Sequence, residues 1–101
     1  MQKIFDKILF IKDKYKSNIV FDTRYLKKND IFIGIRSLKS DGSLFFQDAI
    51  NKKASLIIIN NPNAYHQNII QIVNINKFIL NFCKFLLSQY KGKIIAITGS
   101  V

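Results

Sequence analysis

The sequence predicts an α/β domain: a small, three-layer-like arrangement of a mostly parallel sheet and about three helices. Short runs rich in Ile, Val and Phe, typical of strands, recur along the chain. Stretches with the apolar spacing of helices lie between several of them, as in folds built from βαβ units. With 101 residues, 49% of them hydrophobic, the chain can bury a core without a metal or a disulfide.

The first third of the chain predicts one helix and two strands. Residues 3–12 carry isoleucines at helical spacing with lysines between them, which indicates a short amphipathic helix. Residues 19–22 and 31–35 are rich in β-branched and aromatic side chains, which favours strands. The polar residues 27–30 separate them as a turn, and we expect Asn29 to take the left-handed conformation there.

The middle of the chain predicts a helix and a buried strand. Asp41-Gly42-Ser43 supplies turn and N-cap residues for a helix that extends to Lys53 and carries Leu44 and Phe45 on its apolar face. Residues 55–59 form a continuous apolar run, as expected of a strand covered on both faces of a parallel sheet.

The last third predicts strand, helix and strand. Residues 69–73 form the first strand, and Asn74 or Asn76 then caps a helix with phenylalanines on one face. Gly92 stands where a helix terminator belongs, and residues 93–98 form the final strand.

The formal charge of +10 has two interpretations. The chain contains 19 Ile, 14 Lys and 10 Asn, whose codons are all A/T-rich, so compositional drift with surface lysines is the simpler one. The other is a phosphate-bearing partner.

Cysteine and histidine usage excludes two kinds of site. A single cysteine, Cys83, forms no internal disulfide, and a single histidine, His66, excludes a Cys/His zinc cluster. We expect Cys83 in the core and His66 in a solvated loop. No apolar run approaches the ~20 residues that span a bilayer, and the N-terminal run is too short for a signal peptide, so we expect a cytoplasmic protein.

Residues 98–100 are the first segment whose sequence indicates a ligand-binding function. A buried strand that leads into Thr98-Gly99-Ser100 is typical of the start of a phosphate-binding loop, although an ordinary turn has the same pattern. The lysine and the second hydroxyl of such a loop are absent, so we expect no ATP hydrolysis by this chain alone.

Four motifs together resemble the N-terminal domain of the Mur ligases. That family carries Asp-Ser/Thr-Arg, a Lys-Pro-Gly-Asp-Leu-Phe-Val-Ala turn and strand, an Asp-Gly before a helix and a Gly-Ala after it. The corresponding segments here, at matching spacings, are Asp22-Thr23-Arg24, residues 26–35, Asp41-Gly42 and the segment that begins Phe46-Gln47-Asp48-Ala49 and leads to Ala54. In the family this domain leads into the ATP loop, which residues 96–101 match, so the resemblance covers residues 19–101.

The sequence departs from the family pattern at three places. Lys28-Asn29 replaces Pro-Gly and keeps a residue that tolerates positive φ. Lys53 replaces the glycine that ends the second helix, and Ser37 replaces the glycine after the second strand.

The resemblance implies a division of labour along the chain. Residues 1–92 would be the domain that holds the UDP end of a UDP-N-acetylmuramoyl-peptide substrate. Residues 93–101 would be the first strand and the start of the ATP loop of a central domain, with Thr98, Gly99 and Ser100 touching the nucleotide and ATP and Mg²⁺ used by the full-length enzyme. We expect no productive binding of either by this chain, no catalytic residue in it and a monomeric state.

Two members of the family have this form of N-terminal domain. One adds the third residue to UDP-N-acetylmuramoyl-dipeptide, and the other adds D-alanyl-D-alanine to the tripeptide. The Thr-Gly-Ser of the loop and the direct passage from residues 89–92 into the strand favour the second.

Matching positions also imply site residues. Thr23 would bond the diphosphate through its hydroxyl, and Leu38, Lys39 and Ser40 would lie beside the uracil or ribose. Arg24 is expected to pair with Asp22 or Asp30. An alternative of another class is a small basic nucleic-acid-binding module, although no known motif supports it. It is suggested by lysines with aromatic residues nearby, namely Lys12, Lys14, Lys16, Lys27 and Lys28 with Phe10, Tyr15 and Tyr25.

Overall fold

The computed structural model describes residues 2–89, which contain three α-helices, two 3-10 turns and four strands. The predicted Gly92 terminator and the strand at 93–98 lie outside the described residues. The helices and strands, in chain order, are α1 (Gln2–Tyr15), β1 (Ile19–Val20), β2 (Ile31–Ile33), α2 (Phe46–Asn51), β3 (Leu56–Ile59), β4 (Ile69–Gln71) and α3 (Ile75–Gln89). The 3-10 turns are Thr23–Tyr25 and Gly42–Phe45.

The four strands form one parallel sheet in the order β1-β2-β3-β4. Ile31 pairs with both Ile19 and Leu56, and Ile57 pairs with Ile69. Because every crossover steps in the same direction, right-handed connections place all of them on one face of the sheet.

The sheet is covered on both faces, which makes the three layers. Helices α1 and α3 cover one face, where Phe5 packs 5.5 Å and 5.3 Å from Phe78 and Phe82 between ring centroids. The crossovers cover the other face with Leu26, Ala49 and Ala64. The predicted α/β class with a parallel sheet and three helices is therefore confirmed.

All four strands lie within their predicted ranges, but β1, β2 and β4 are each two residues shorter than predicted, although β2 is fully buried. All four residues of β3 are buried, so the continuous apolar run is a central strand as predicted. Strands β1 and β4 lie at the edges and are shorter than predicted. β1 is followed closely by the first 3-10 turn, which begins at Thr23 and is capped by Asp22, whose backbone is still extended.

The second helix differs from the prediction at both ends. A 3-10 turn replaces its first four predicted residues and leaves Leu44 and Phe45 exposed, so placing them on a buried apolar face was wrong. At its other end Lys53 has φ 62°, with its N–H bonded to the carbonyl of Ile50 and the next N–H bonded to that of Ala49. This is the Schellman arrangement, in which glycine usually takes the left-handed position.

Two local predictions are confirmed and one is corrected. Asn29 has φ 71°, and Asn74 caps α3, its Oδ1 accepting a hydrogen bond from the N–H of Lys77 at 3.0 Å. Cys83 is exposed, so its assignment to the core was wrong. It follows the buried Phe82 by one residue, which on a helix turns its side chain about 100° away from the core.

Candidate functional site

The carboxyl ends of β1 and β2 open onto a cavity of about 450 Å³, within the range of small-molecule sites. Ligands of parallel α/β sheets bind beyond this edge of the strands. Its polar or charged lining residues are Asp22, Thr23, Arg24, Ser37, Ser40 and Asp48, and its apolar ones include Phe21, Ile35 and Phe45.

Asp22 and Arg24 make a fixed ion pair on the wall of this cavity. Arg24 Nη2 and Nε donate to Asp22 Oδ2 at 2.7 Å and 3.0 Å, and the N–H of Arg24 donates to Oδ1 at 2.9 Å. These bonds, the side-chain ones first, lower the pKa of Asp22 below its ordinary 3.8, and the carboxylate raises the pKa of Arg24. Asp22 and Asp30 were the two predicted partners of Arg24, and the structure pairs it with Asp22.

Thr23 is held between two segments. Its side chain lies against the cavity although only 7% of the residue is exposed. Its carbonyl accepts hydrogen bonds from Lys52 Nζ at 2.5 Å and from the N–H of Leu26 at 3.2 Å. Among residues 2–89 no hydrogen bond involves its hydroxyl, which leaves that group to a ligand.

Ser40 closes a tight turn whose two serines also line the cavity. The N–H of Ser37 donates to the carbonyl of Ser40 at 2.8 Å, and Ser37 Oγ accepts from the N–H of Ser40 at 3.2 Å. Both serines line the cavity, whereas Leu38 and Lys39 project from the tip of the turn and do not line it. The structure therefore brings Thr23 and Ser40 together and leaves the other two predicted residues at the rim.

Two glycines, Gly34 and Gly42, allow two backbone segments to pack closely beside this turn. Residues 35–42 form a hairpin, closed by a hydrogen bond from the N–H of Gly42 to the carbonyl of Ile35 at 2.7 Å. At its base a Cβ on Gly34 would lie 2.7 Å from the backbone nitrogen of Ser43, and one on Gly42 would lie 2.9 Å from Cα of Gly34. The two legs of the hairpin meet closely because neither glycine has a side chain.

Ser43 joins the hairpin to the sheet. Its buried hydroxyl donates to the carbonyl of Gly34 at 3.3 Å and accepts from the N–H of Asn60, which follows β3, at 2.9 Å. Asp41 Oδ1 accepts from the N–H of Ser43 at 3.0 Å, so Asp41 caps the turn as predicted.

The sequence patterns did not identify Lys52, Asp48 or the two phenylalanines as site residues. Phe21 and Phe45 each expose 45% of their surface beside the cavity. The contact of Lys52 with Thr23 spans 29 residues and has no local signal. Asp48 adds a second carboxylate to the lining, which therefore has two carboxylates and one guanidinium.

The residues present do not make a complete ATP and Mg²⁺ site. Thr98, Gly99 and Ser100 lie outside the described residues, and the 101-residue sequence lacks the loop lysine and the hydroxyl that follows it. Within residues 2–89 no three His, Cys, Asp or Glu side chains are grouped as metal ligands. None of the described helices is both long enough and apolar enough to traverse a bilayer.

Comparison with known proteins gives consistent matches. The UDP-N-acetylmuramoyl-L-alanyl-D-glutamate–2,6-diaminopimelate ligases of Buchnera aphidicola and Clostridium tetani are 35% and 34% identical over 89% and 82% of this chain. The UDP-N-acetylmuramoyl-tripeptide–D-alanyl-D-alanine ligase of Rickettsia prowazekii is 31% identical over 84%. The chain spans about a fifth of the length of these relatives. No protein-family model matches the chain.

A solved structure has the same fold. The MurF ligase from Thermotoga maritima, crystallised in complex with ADP, matches with a TM-score of 0.68 at 17% identity, over 75% of this chain and 18% of its own. Sequence and fold thus agree with the resemblance carried by the motifs around Thr23 and the hairpin. The chain is homologous to the N-terminal domain of the Mur ligases.

Proposed function

We propose that this chain holds the UDP end of a UDP-N-acetylmuramoyl-peptide substrate in a Mur ligase. The observation that carries the proposal is the carboxyl-edge cavity, whose lining contains both Ser40 and the buried Thr23 with its unengaged hydroxyl. Relatives of both enzyme types act on UDP-N-acetylmuramoyl-peptides by name.

In this proposal, roles fall to residues of the cavity lining and to residues of the adjoining turn. The Thr23 hydroxyl donates to a phosphate oxygen. Arg24 keeps N–H donors beyond those that bond Asp22, because a guanidinium has five, and these face the diphosphate. Phe21 and Phe45 offer apolar surface to the uracil ring, as aromatic side chains do for bases. Leu38, Lys39 and Ser40 approach the uracil or ribose from the turn.

The remainder of the reaction belongs to a longer enzyme. In this proposal residues 1–92 are the substrate-holding domain, and residues 93–101 begin the domain that binds ATP. Thr98, Gly99 and Ser100 would be the first residues of its phosphate loop. Such a ligase joins an amine to the peptide carboxylate at the expense of ATP, and none of the groups that do this lies in residues 2–89.

Two observations favour different incoming amines. The Thr98-Gly99-Ser100 sequence favours the ligase that adds D-alanyl-D-alanine to the tripeptide, and we propose this activity for the parent enzyme. The relatives at 35% and 34% identity are diaminopimelate-adding ligases, which favours the second candidate. Assaying the enzyme encoded by the full reading frame with each amine and its matching UDP-peptide decides between them.

Binding of UDP to the 101-residue chain tests the shared part of the proposal. Amide chemical shifts should move in residues 21–24 and 35–42, with a dissociation constant near 1 mM, equivalent to about −4 kcal/mol. Thr23→Val keeps the β-branched shape but removes the hydroxyl, and should weaken binding about fivefold, the effect of about 1 kcal/mol.

Ser88→Ala is the control, since within residues 2–89 the hydroxyl that it removes bonds only the carbonyl of Phe85, in its own helix α3. It should leave the affinity for UDP unchanged. Shifts confined to α1 and residues 60–68, or no shifts at saturating UDP, would show that the carboxyl-edge cavity is not the site.

A further inference from the structure

A second cavity, of about 420 Å³, lies at the amino ends of the strands, at the edge of the sheet opposite the carboxyl-edge cavity. Four segments build it: the last turns of α1, the turn before β2 at Asn29, the stretch from the end of α2 to Ser55, and the loop before β4. Its chemically active lining residues are Phe10, Lys14, Tyr15, Lys53, His66 and Asn68.

The lining of this amino-edge cavity is cationic. It contains the ammonium groups of Lys14 and Lys53 and no carboxylate. Among the described residues the ion pairs within 4 Å are Lys16 with Asp13 and Arg24 with Asp22, so neither lining lysine is neutralised at that distance. Two unpaired ammonium groups at one concave surface attract an anion more strongly than isolated surface lysines do.

Aromatic surface stands beside these charges. Phe10 is 64% exposed and Tyr15 is 43% exposed, although both are large enough to fill a core position. Lys14 Nζ lies 5.9 Å from the ring centroid of Phe10 and 5.3 Å from that of Tyr15. The helix therefore presents a cation and two ring surfaces together, the combination that binds a phosphate next to a base.

His66 adds a directed donor. Its Nδ1 accepts a hydrogen bond from the N–H of Asn68 at 3.1 Å, so the neutral imidazole carries its proton on Nε2. The Asn68 side chain is itself fixed, since its Nδ2 donates to the carbonyl of Ala54 at 3.3 Å. This loop is thus held in place with a ring N–H available to a ligand.

From this arrangement we infer that the amino-edge cavity binds a small anion carrying a planar ring, of the class of a nucleoside monophosphate. The phosphate lies between Lys14 and Lys53 and accepts from His66 Nε2, and the ring stacks against Tyr15 or Phe10. The inference is independent of the proposed UDP site, because the amino-edge cavity and the carboxyl-edge cavity share no lining residue.

The test compares a nucleotide with its two halves. Adenosine monophosphate, adenosine and inorganic phosphate are each titrated into the 101-residue chain while amide chemical shifts are followed. The nucleotide should bind at least fivefold more tightly than either half, with shifts centred on residues 10–15, 53–55 and 66–68. Equal affinity for nucleotide and phosphate, or shifts elsewhere, would overturn the inference.

Matched lysine variants separate this cavity from the general positive charge. Lys14→Gln should weaken adenosine monophosphate binding at least fivefold, whereas Lys7→Gln, the same charge change at an exposed position of the same helix, should change it less than twofold. An equal loss of affinity in the two variants would show that net charge alone explains the binding, and would overturn the inference.

Lys53→Gly guards against misfolding as an explanation. It removes one of the cations while placing glycine at a position of φ 62°, so it should weaken the nucleotide affinity and raise the melting temperature together. Unchanged affinity in this variant would count against the inference. A single-stranded RNA with a 5′-phosphate carries the same phosphate and base at its end. If the inference holds, adenosine monophosphate displaces this RNA from residues 10–15.

Discussion

Gly34→Ala should destabilise the domain strongly, because the added methyl group has no space at the base of the hairpin. The new Cβ would lie 2.7 Å from the nitrogen of Ser43 and 2.8 Å from the carbonyl carbon of Gly42, against 3.4 Å for an ordinary contact. One leg of the hairpin must move by about 0.7 Å, and overpacking of this kind costs about 1–3 kcal/mol.

The same displacement acts on a hydrogen bond. The Ser43 hydroxyl already lies 3.3 Å from the carbonyl of Gly34, so a further shift breaks that bond at a cost of about 1 kcal/mol. The free energy of unfolding should fall by about 2–4 kcal/mol, and the melting temperature by about 10–20 °C for a domain of this size.

Chemical denaturation followed by circular dichroism measures this loss. Ser43→Ala is the control, since it removes the hydroxyl bonds without a clash and should cost about 1–2 kcal/mol, less than Gly34→Ala. Where nothing obstructs the methyl group, glycine to alanine stabilises by about 0.4–1 kcal/mol. A Gly34→Ala protein as stable as the wild type would therefore refute the close approach of the two legs.

Three further predictions concern single side chains. Lys53→Gly should raise the free energy of unfolding by about 0.5–1 kcal/mol, because glycine adopts the left-handed conformation without strain, and urea unfolding measures the gain. Arg24→Gln should raise the pKa of Asp22 toward 3.8, as read from the chemical shift of its side-chain carboxyl carbon against pH. In the wild type the pair stabilises the fold above pH 3.8, and this contribution disappears as the pH falls through the lowered pKa. An unchanged titration of Asp22 in the variant would contradict the observed pairing. Asp48→Asn should tighten UDP binding about twofold to fivefold, because it removes a negative charge from the cavity wall, and calorimetry that shows weaker binding would argue against a diphosphate there.

Local sequence patterns predicted the central part of the fold well. All four residues of the strand at 56–59 are buried, as its continuous apolar run predicted. Asn29 adopts the positive φ that its short polar side chain tolerates. Periodicity failed where one step around a helix decides burial, as at Cys83, and where a 3-10 turn replaces α-helix, as at Phe45.

The candidate site was predictable only in part, because its geometry depends on contacts between distant residues. Thr23 and Ser40 were named from the family resemblance, and no periodicity indicates that they face one cavity. The Lys52 bond to Thr23 and the meeting of Gly34 with Gly42 arise from tertiary packing, so neither leaves a pattern in the residues around it.

The sequential strand order has a consequence for how the domain forms. Each strand pairs with the one made just before it, and paired residues such as Ile19 and Ile31, or Ile57 and Ile69, are close along the chain for a parallel sheet. Contacts of short sequence separation carry a small loop-closure cost and favour rapid folding. During synthesis from the N-terminus, each new strand can therefore pair with an edge strand that was made before it.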